Sequence, residues 1–162
     1  MRKTLTILGD LIARLEWAAI ALLLAALAVV TLIQVLTRNL GIYVSWVEDV
    51  AVLLLVWQVF LGSALALRYG GHYTVDLFGE LPPGFDRLLR GLAIAVTAVV
   101  LAVLFWKGAE LARMLRFRLS GAGEIPMYAY YAAFPTASVF GALHLAEATF
   151  GGPRLPAFGV VE

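Results

Sequence analysis

Residues 17–37 run for twenty-one positions without a charge, and that one stretch decides which solvent the chain can fold in. A bilayer core ~30 Å thick is crossed by about twenty residues of helix rising ~1.5 Å each. Three more apolar stretches follow at similar intervals, which predicts four crossings within 162 residues. The expected fold class is therefore all-α: an integral membrane protein with four transmembrane helices joined by short loops. Residues 1–162 form a single membrane domain in this reading, with spans at about 15–37, 48–68, 88–112 and 125–147 and an irregular tail at 151–162.

Composition excludes several function classes. Hydrophobic residues make up 62% and charged residues 14%, against ~25% charged in a soluble domain. The absence of cysteine rules out a disulfide framework and a thiolate metal site. A net charge of +1 lacks the basic face that nucleic-acid binding needs, so the expected partners are the lipid bilayer and other membrane proteins. Arg2, Lys3 and Arg14 precede the first apolar run. That run is longer than a signal-peptide core and has no small-residue cleavage site, which predicts a retained anchor.

Local signals bound the spans. Glu48 and Asp49 open the uncharged stretch 50–67 and Arg68 closes it, each sign matching the helix dipole at its end. Ser45 with Glu48 has capping-box spacing, and Gly70 with Gly71 supplies a stop. The third span has an uncharged centre of only 91–106, so Arg90 and Lys107 must snorkel towards the two interfaces. Pro126 is expected in the first turn of the fourth span, with Tyr128, Tyr130 and Tyr131 at interfacial depth and a kink at Pro135. Lys and Arg number seven on the side of the N-terminal arm, the central loop and the tail, and five on the other. By the positive-inside rule the termini are expected in the cytoplasm.

Small residues four apart mark faces where helices approach closely in lipid. Ala129, Ala133, Ala137 and Gly141 form one such stripe, Gly62 and Ala66 repeat the spacing in the second span, and Ala21 and Ala25 in the first. Internal packing of a four-helix bundle and docking onto a partner both use such stripes, which alone do not separate the two. Transport chemistry wants ionisable groups or broken helices near the midplane, and here Gln34 and Gln58 are the notable polar side chains of the first two spans. Gln34 lies four residues before Arg38, on the same helix face. His72 and His144 have no metal-ligand constellation around them, and neither an activated nucleophile nor a phosphate-binding loop is visible. The expectation is a protein that is not an enzyme and carries no cofactor of its own.

The chemically richest stretch joins Ser45-Trp46-Val47-Glu48-Asp49 to Arg68, Gly71-His72 and Val75-Asp76 across the second span. Taken singly, Trp46 is an aromatic-belt residue, Glu48 a cap, Arg68 a snorkelling end charge and Asp76 a solvated loop residue. With Gln34 and Arg38 ahead of them, Trp57-Gln58-Val59-Phe60-Leu61-Gly62 between them and Leu81-Pro82-Pro83 behind, they resemble the small DctQ-type membrane subunit of tripartite ATP-independent periplasmic (TRAP) transporters. The resemblance covers residues 27–90 by motif and the remainder by hydropathy and length.

In such systems a periplasmic solute-binding protein captures an organic acid and a large membrane subunit carries it inward on a sodium gradient. The small subunit braces the large one. The resemblance thus implies a scaffold in a bacterial or archaeal inner membrane, with sodium coupling in the large subunit and Arg113, Arg116 and Arg118 facing the periplasm. It gives Gln34, Arg38, Ser45, Trp46, Glu48, Asp49, Arg68, His72 and Asp76 structural or partner-contact roles. Two other readings remain open on the residues: a self-sufficient four-helix homodimeric transporter, which would want a carboxylate buried mid-helix, and a membrane anchor subunit of another complex.

Overall fold

The computed structural model describes residues 2–69, 83–122 and 124–150. His72, Asp76, the Gly70-Gly71 stop and the tail 151–162 lie outside the described residues. Four helices of three or more turns form, α1 (Arg2–Asn39), α2 (Trp46–Tyr69), α3 (Pro83–Met114) and α5 (Ala133–Phe150), with a single turn, α4 (Tyr128–Tyr131), leading into the last. Gly9–Asn39, Trp46–Tyr69 and Gly91–Met114 are long and apolar enough to cross a membrane.

The helix α1 begins well before the expected span because its amphipathic first half has something to bury. Gly9, Ala13 and Glu16 fall at i, i+4 and i+7 and all three are buried. Its apolar part, 31 residues, is about 46 Å long at the helical rise and so overreaches a ~30 Å core. At the other end Gly41 has φ 71°, Ile42 N–H donates to the Thr37 carbonyl at 2.9 Å and Gly41 N–H to that of Arg38 at 3.1 Å. This is a Schellman stop, which needs a residue that tolerates the left-handed region.

Two boundary expectations are corrected. The Ser45 hydroxyl donates to the Ala122 carbonyl at 3.4 Å and no capping-box bond forms among the described residues, because the segment after α3 folds back against the start of α2. Pro126 stands ahead of the helix, in an antiparallel bridge with Leu119. The hydrogen bonds of that bridge run from Ser120 N–H to Ile125 O and from Met127 N–H to Arg118 O, both 2.8 Å. They bypass the one residue with no N–H to give. The expected kink appears as a break at Ala132 between α4 and α5, one turn before Pro135, where the proline ring crowds the Tyr131 carbonyl.

The helices do not close into a four-helix bundle. They stand in a row: α1 packs on α2, α2 on α5, and α5 on α3, with α1 also touching α5. Among the described residues α3 packs against neither α1 nor α2. The reason is that α5 carries small residues towards two neighbours. A Cβ at Gly141 would lie 2.9 Å from a Leu101 methyl of α3 and 3.2 Å from a Leu67 methyl of α2. Ala133 and Ala137 of the same stripe are buried, and Ala129 is half-buried. Gly108 of α3 sits so close to Phe134 that a Cβ there would come within 2.5 Å of the Phe134 Cβ. By contrast Ala21 and Ala25 of α1 are exposed, and Gly62 and Ala66 are half-buried.

Candidate functional site

Polar side chains gather at the two ends of the row. At the end formed by the start of α1 and the finish of α2 and α5, Arg68 is buried at 7% exposure. Its guanidinium donates to the Gly9 carbonyl and the Asp10 carboxylate, and to Glu147 Oε1 at 3.2 Å. One turn back on α5, His144 is fully buried. Its Nε2 lies 2.6 Å from Glu16 Oε2 and its Nδ1 3.8 Å from Glu147 Oε2. The cluster grades from wet to dry: Asp10 is 65% exposed, Glu147 7% and Glu16 2%.

The local sequence explains how the cluster assembles. His144 and Glu147 are three apart on α5 and therefore share a face. Gly9 admits the Glu147 carboxylate against the α1 backbone, in space that a Cβ would fill. Burying such charges costs several kcal/mol per ion unless geometry and further hydrogen bonds compensate. Glu16 Oε1 and Glu147 Oε2 are buried and accept no hydrogen bond among the described residues. What this arrangement does is fasten three helices at one level. Arg68 is therefore no snorkelling end charge, and Asp10, Glu16, His144 and Glu147 join the site without having been singled out for it by the sequence. The available signal was the spacing of Gly9, Ala13 and Glu16 set beside that of His144 and Glu147.

At the opposite end Asp49 organises the loop between α3 and α4. Its Oδ2 accepts from the Ser120 hydroxyl at 2.8 Å and from Ala122 N–H at 3.1 Å, and its backbone carbonyl accepts from the Tyr130 hydroxyl at 2.9 Å. The Ser120 hydroxyl in turn accepts from Ile125 N–H at 3.1 Å. The Trp57 indole donates to the Ala129 carbonyl at 2.9 Å, tying α2 to α4. Gln58 Oε1 is buried without a hydrogen-bond partner among the described residues. Trp46 is exposed, as an aromatic anchor at a membrane boundary should be.

Gln34 and Arg38, at the end of α1, and Glu48, at the start of α2, line one open cavity of about 380 Å³. A second cavity of about 410 Å³ lies between Glu48, Asp49, Ser120 and Tyr130. The structure thus separates the sequence-chosen residues into two ends: Arg68 at one, and Gln34, Arg38, Ser45, Trp46, Glu48 and Asp49 at the other. Among the described residues no group of three or more His, Asp or Glu side chains has a geometry that could hold a metal ion.

Residues 27–154 match the family of tripartite ATP-independent periplasmic transporters, DctQ component. The chain is 26% identical over 117 residues to the C4-dicarboxylate TRAP transporter small permease protein DctQ of Rhodobacter capsulatus, an alignment covering 70% of this chain and 52% of that one. It is 24% identical over 159 residues to the isethionate TRAP transporter permease protein DctMQ of Oleidesulfovibrio alaskensis, covering 92% of this chain and 25% of that one. The chain therefore spans about half the length of the first relative and a quarter of the second. The family match begins after Asp10 and Glu16 and includes Arg68, His144 and Glu147.

Proposed function

The chain belongs to the DctQ component family of tripartite ATP-independent periplasmic transporters, as a small multi-pass membrane subunit, and we propose that it braces a large permease subunit without conducting solute itself. A periplasmic solute-binding protein delivers an organic acid to that permease, which couples import to sodium. The assembly sits in the inner membrane of a bacterium or archaeon, with the termini of this chain in the cytoplasm. The seven-to-five distribution of Lys and Arg supports that orientation.

The observation that carries the scaffold reading is the open row of helices. Its outer members α1 and α3 present large apolar side chains along their length, among them Leu22 at 72%, Val99 at 62% and Trp106 at 72% exposure. Arg68, Glu147, Glu16 and Asp49 are meanwhile tied up at the helix ends, where they fasten helices and loops of this chain. A helix row whose buried charges are engaged within the chain and whose flank is broadly apolar suits docking against another membrane protein more than passing an acid through. The isethionate permease relative, in which the matched segment is a quarter of the chain, supports a partner of the same kind.

The test is reconstitution. Proteoliposomes containing this chain, the large permease subunit of the same system and its binding protein should take up organic acid under an inward sodium gradient, and omission of this chain should abolish uptake. Uptake by this chain alone, or undiminished uptake in its absence, would sink the proposal.

A further inference from the structure

The cavity between the end of α1 and the start of α2 has a chemistry that the scaffold role leaves unused. Arg38 and Glu48 both line it, both are exposed, and among the described residues they make no ion pair with each other. The Gln34 amide, one turn below Arg38, joins the polar part of the lining together with Thr37 and Tyr43. Arg38 lies in the last turn of the first membrane span and Glu48 in the first turn of the second. The cavity therefore stands at headgroup depth, where phospholipid phosphates and amines are the abundant ligands.

We propose that this cavity is a binding site for the zwitterionic headgroup of a phosphatidylethanolamine. A cation and an anion held apart on one wall complement a ligand that carries the opposite pair. The guanidinium of Arg38 offers paired N–H donors to the phosphate, and the Glu48 carboxylate accepts from the primary ammonium. Gln34 supplies a neutral donor beside the phosphate. The volume, about 380 Å³, falls within the range of small-ligand sites. Below the headgroup, exposed Val52, Leu55 and Val59 follow Glu48 at i+4, i+7 and i+11 and give the acyl chains an apolar path. A purely anionic headgroup would meet the Glu48 carboxylate with a like charge, and a quaternary amine has no N–H for it to accept.

The experiment counts lipids on the purified chain. Delipidated protein in a non-ionic detergent is titrated with dioleoyl phosphatidylethanolamine or with dioleoyl phosphatidylglycerol, and bound lipid is read by native mass spectrometry. One phosphatidylethanolamine should be retained about fivefold more tightly than phosphatidylglycerol; Glu48→Gln should erase that preference, and Arg38→Gln should weaken the retention of both lipids. Circular dichroism establishes that both variants are folded. Should either fail to fold, the wild-type comparison of the two lipids decides by itself. Equal retention of the two lipids overturns the site and leaves the cavity to a protein partner. An unchanged preference in folded Glu48→Gln, or undiminished phosphatidylethanolamine retention by folded Arg38→Gln, overturns it equally.

Discussion

Removing the guanidinium of Arg68 leaves Glu147, 7% exposed, without the cation 3.2 Å away. A carboxylate stranded in that way typically costs about 3–5 kcal/mol, so Arg68→Met should lower the unfolding temperature in detergent well below that of the wild type. The double variant Arg68→Met/Glu147→Leu should recover most of the loss, because it removes the stranded charge together with its partner. Asp10→Asn should have a far smaller effect, since the Asp10 carboxylate is 65% exposed and ion pairs at that exposure are worth about 0–1 kcal/mol. If Arg68→Met unfolds where the wild type does, the cluster contributes nothing net. This part of the molecule was only half legible in the sequence. Arg68 announces itself as the charge that ends a span, but its partners lie 58 and 79 residues away. Helical periodicity fixes which residues share a face and is silent on which face meets which. Asp49 was legible as a helix-end acid, whereas its grip on Ser120 and Ala122 depends on a loop that folds back across more than 70 residues.

Each helix shows how far its own boundaries can be read. The ends of α2 follow from Glu48, Asp49 and Arg68, because charges stop an apolar run wherever the neighbours lie. The start of the last helix was harder, since Pro126 and Pro135 both suit a helical first turn and only the Leu119 bridge decides that Pro126 stays outside. The tight α5 contacts make size-dependent predictions. Ala137→Leu should destabilise by about 1–3 kcal/mol through overpacking, and Gly108→Leu by more, because the first added carbon already meets Phe134 at 2.5 Å. Gly62→Leu is the control, for a Cβ at Gly62 has nothing within 4 Å, and its unfolding temperature should stay near that of the wild type. Loop 115–127 yields a further prediction. Asp49→Ala removes two hydrogen bonds to a carboxylate, each worth about 1.5–3 kcal/mol, and should speed amide exchange at Ala122 and Ile125 while leaving the centre of α2 protected. Uniform exchange across variant and wild type would mean that the loop is held by something else.

At the scale of the whole chain, the side of the membrane on which each end lies is the most accessible question. A cysteine replacing Arg116, exposed in the turn after α3, should react with a membrane-impermeant thiol reagent in intact cells, and one replacing Arg2 should not; the reverse pattern would invert the orientation. That the chain is all-α and multi-pass was legible in hydropathy alone, while the row in place of a bundle was not, because apolar exteriors look alike whether lipid or protein will cover them. The contact between His144 and Glu16 joins residues 128 apart, and so it carries a schedule for biosynthesis. At ~5–20 residues per second, translation needs about 6–25 s to supply the second partner after the first. During that interval the newly inserted α1 holds an acid that finds no histidine, and it has reason to rest with its first turns in the headgroup layer until α5 arrives. A message cut short before codon 144 would yield a chain that never passes this checkpoint, and its half-life in the cell should be correspondingly brief.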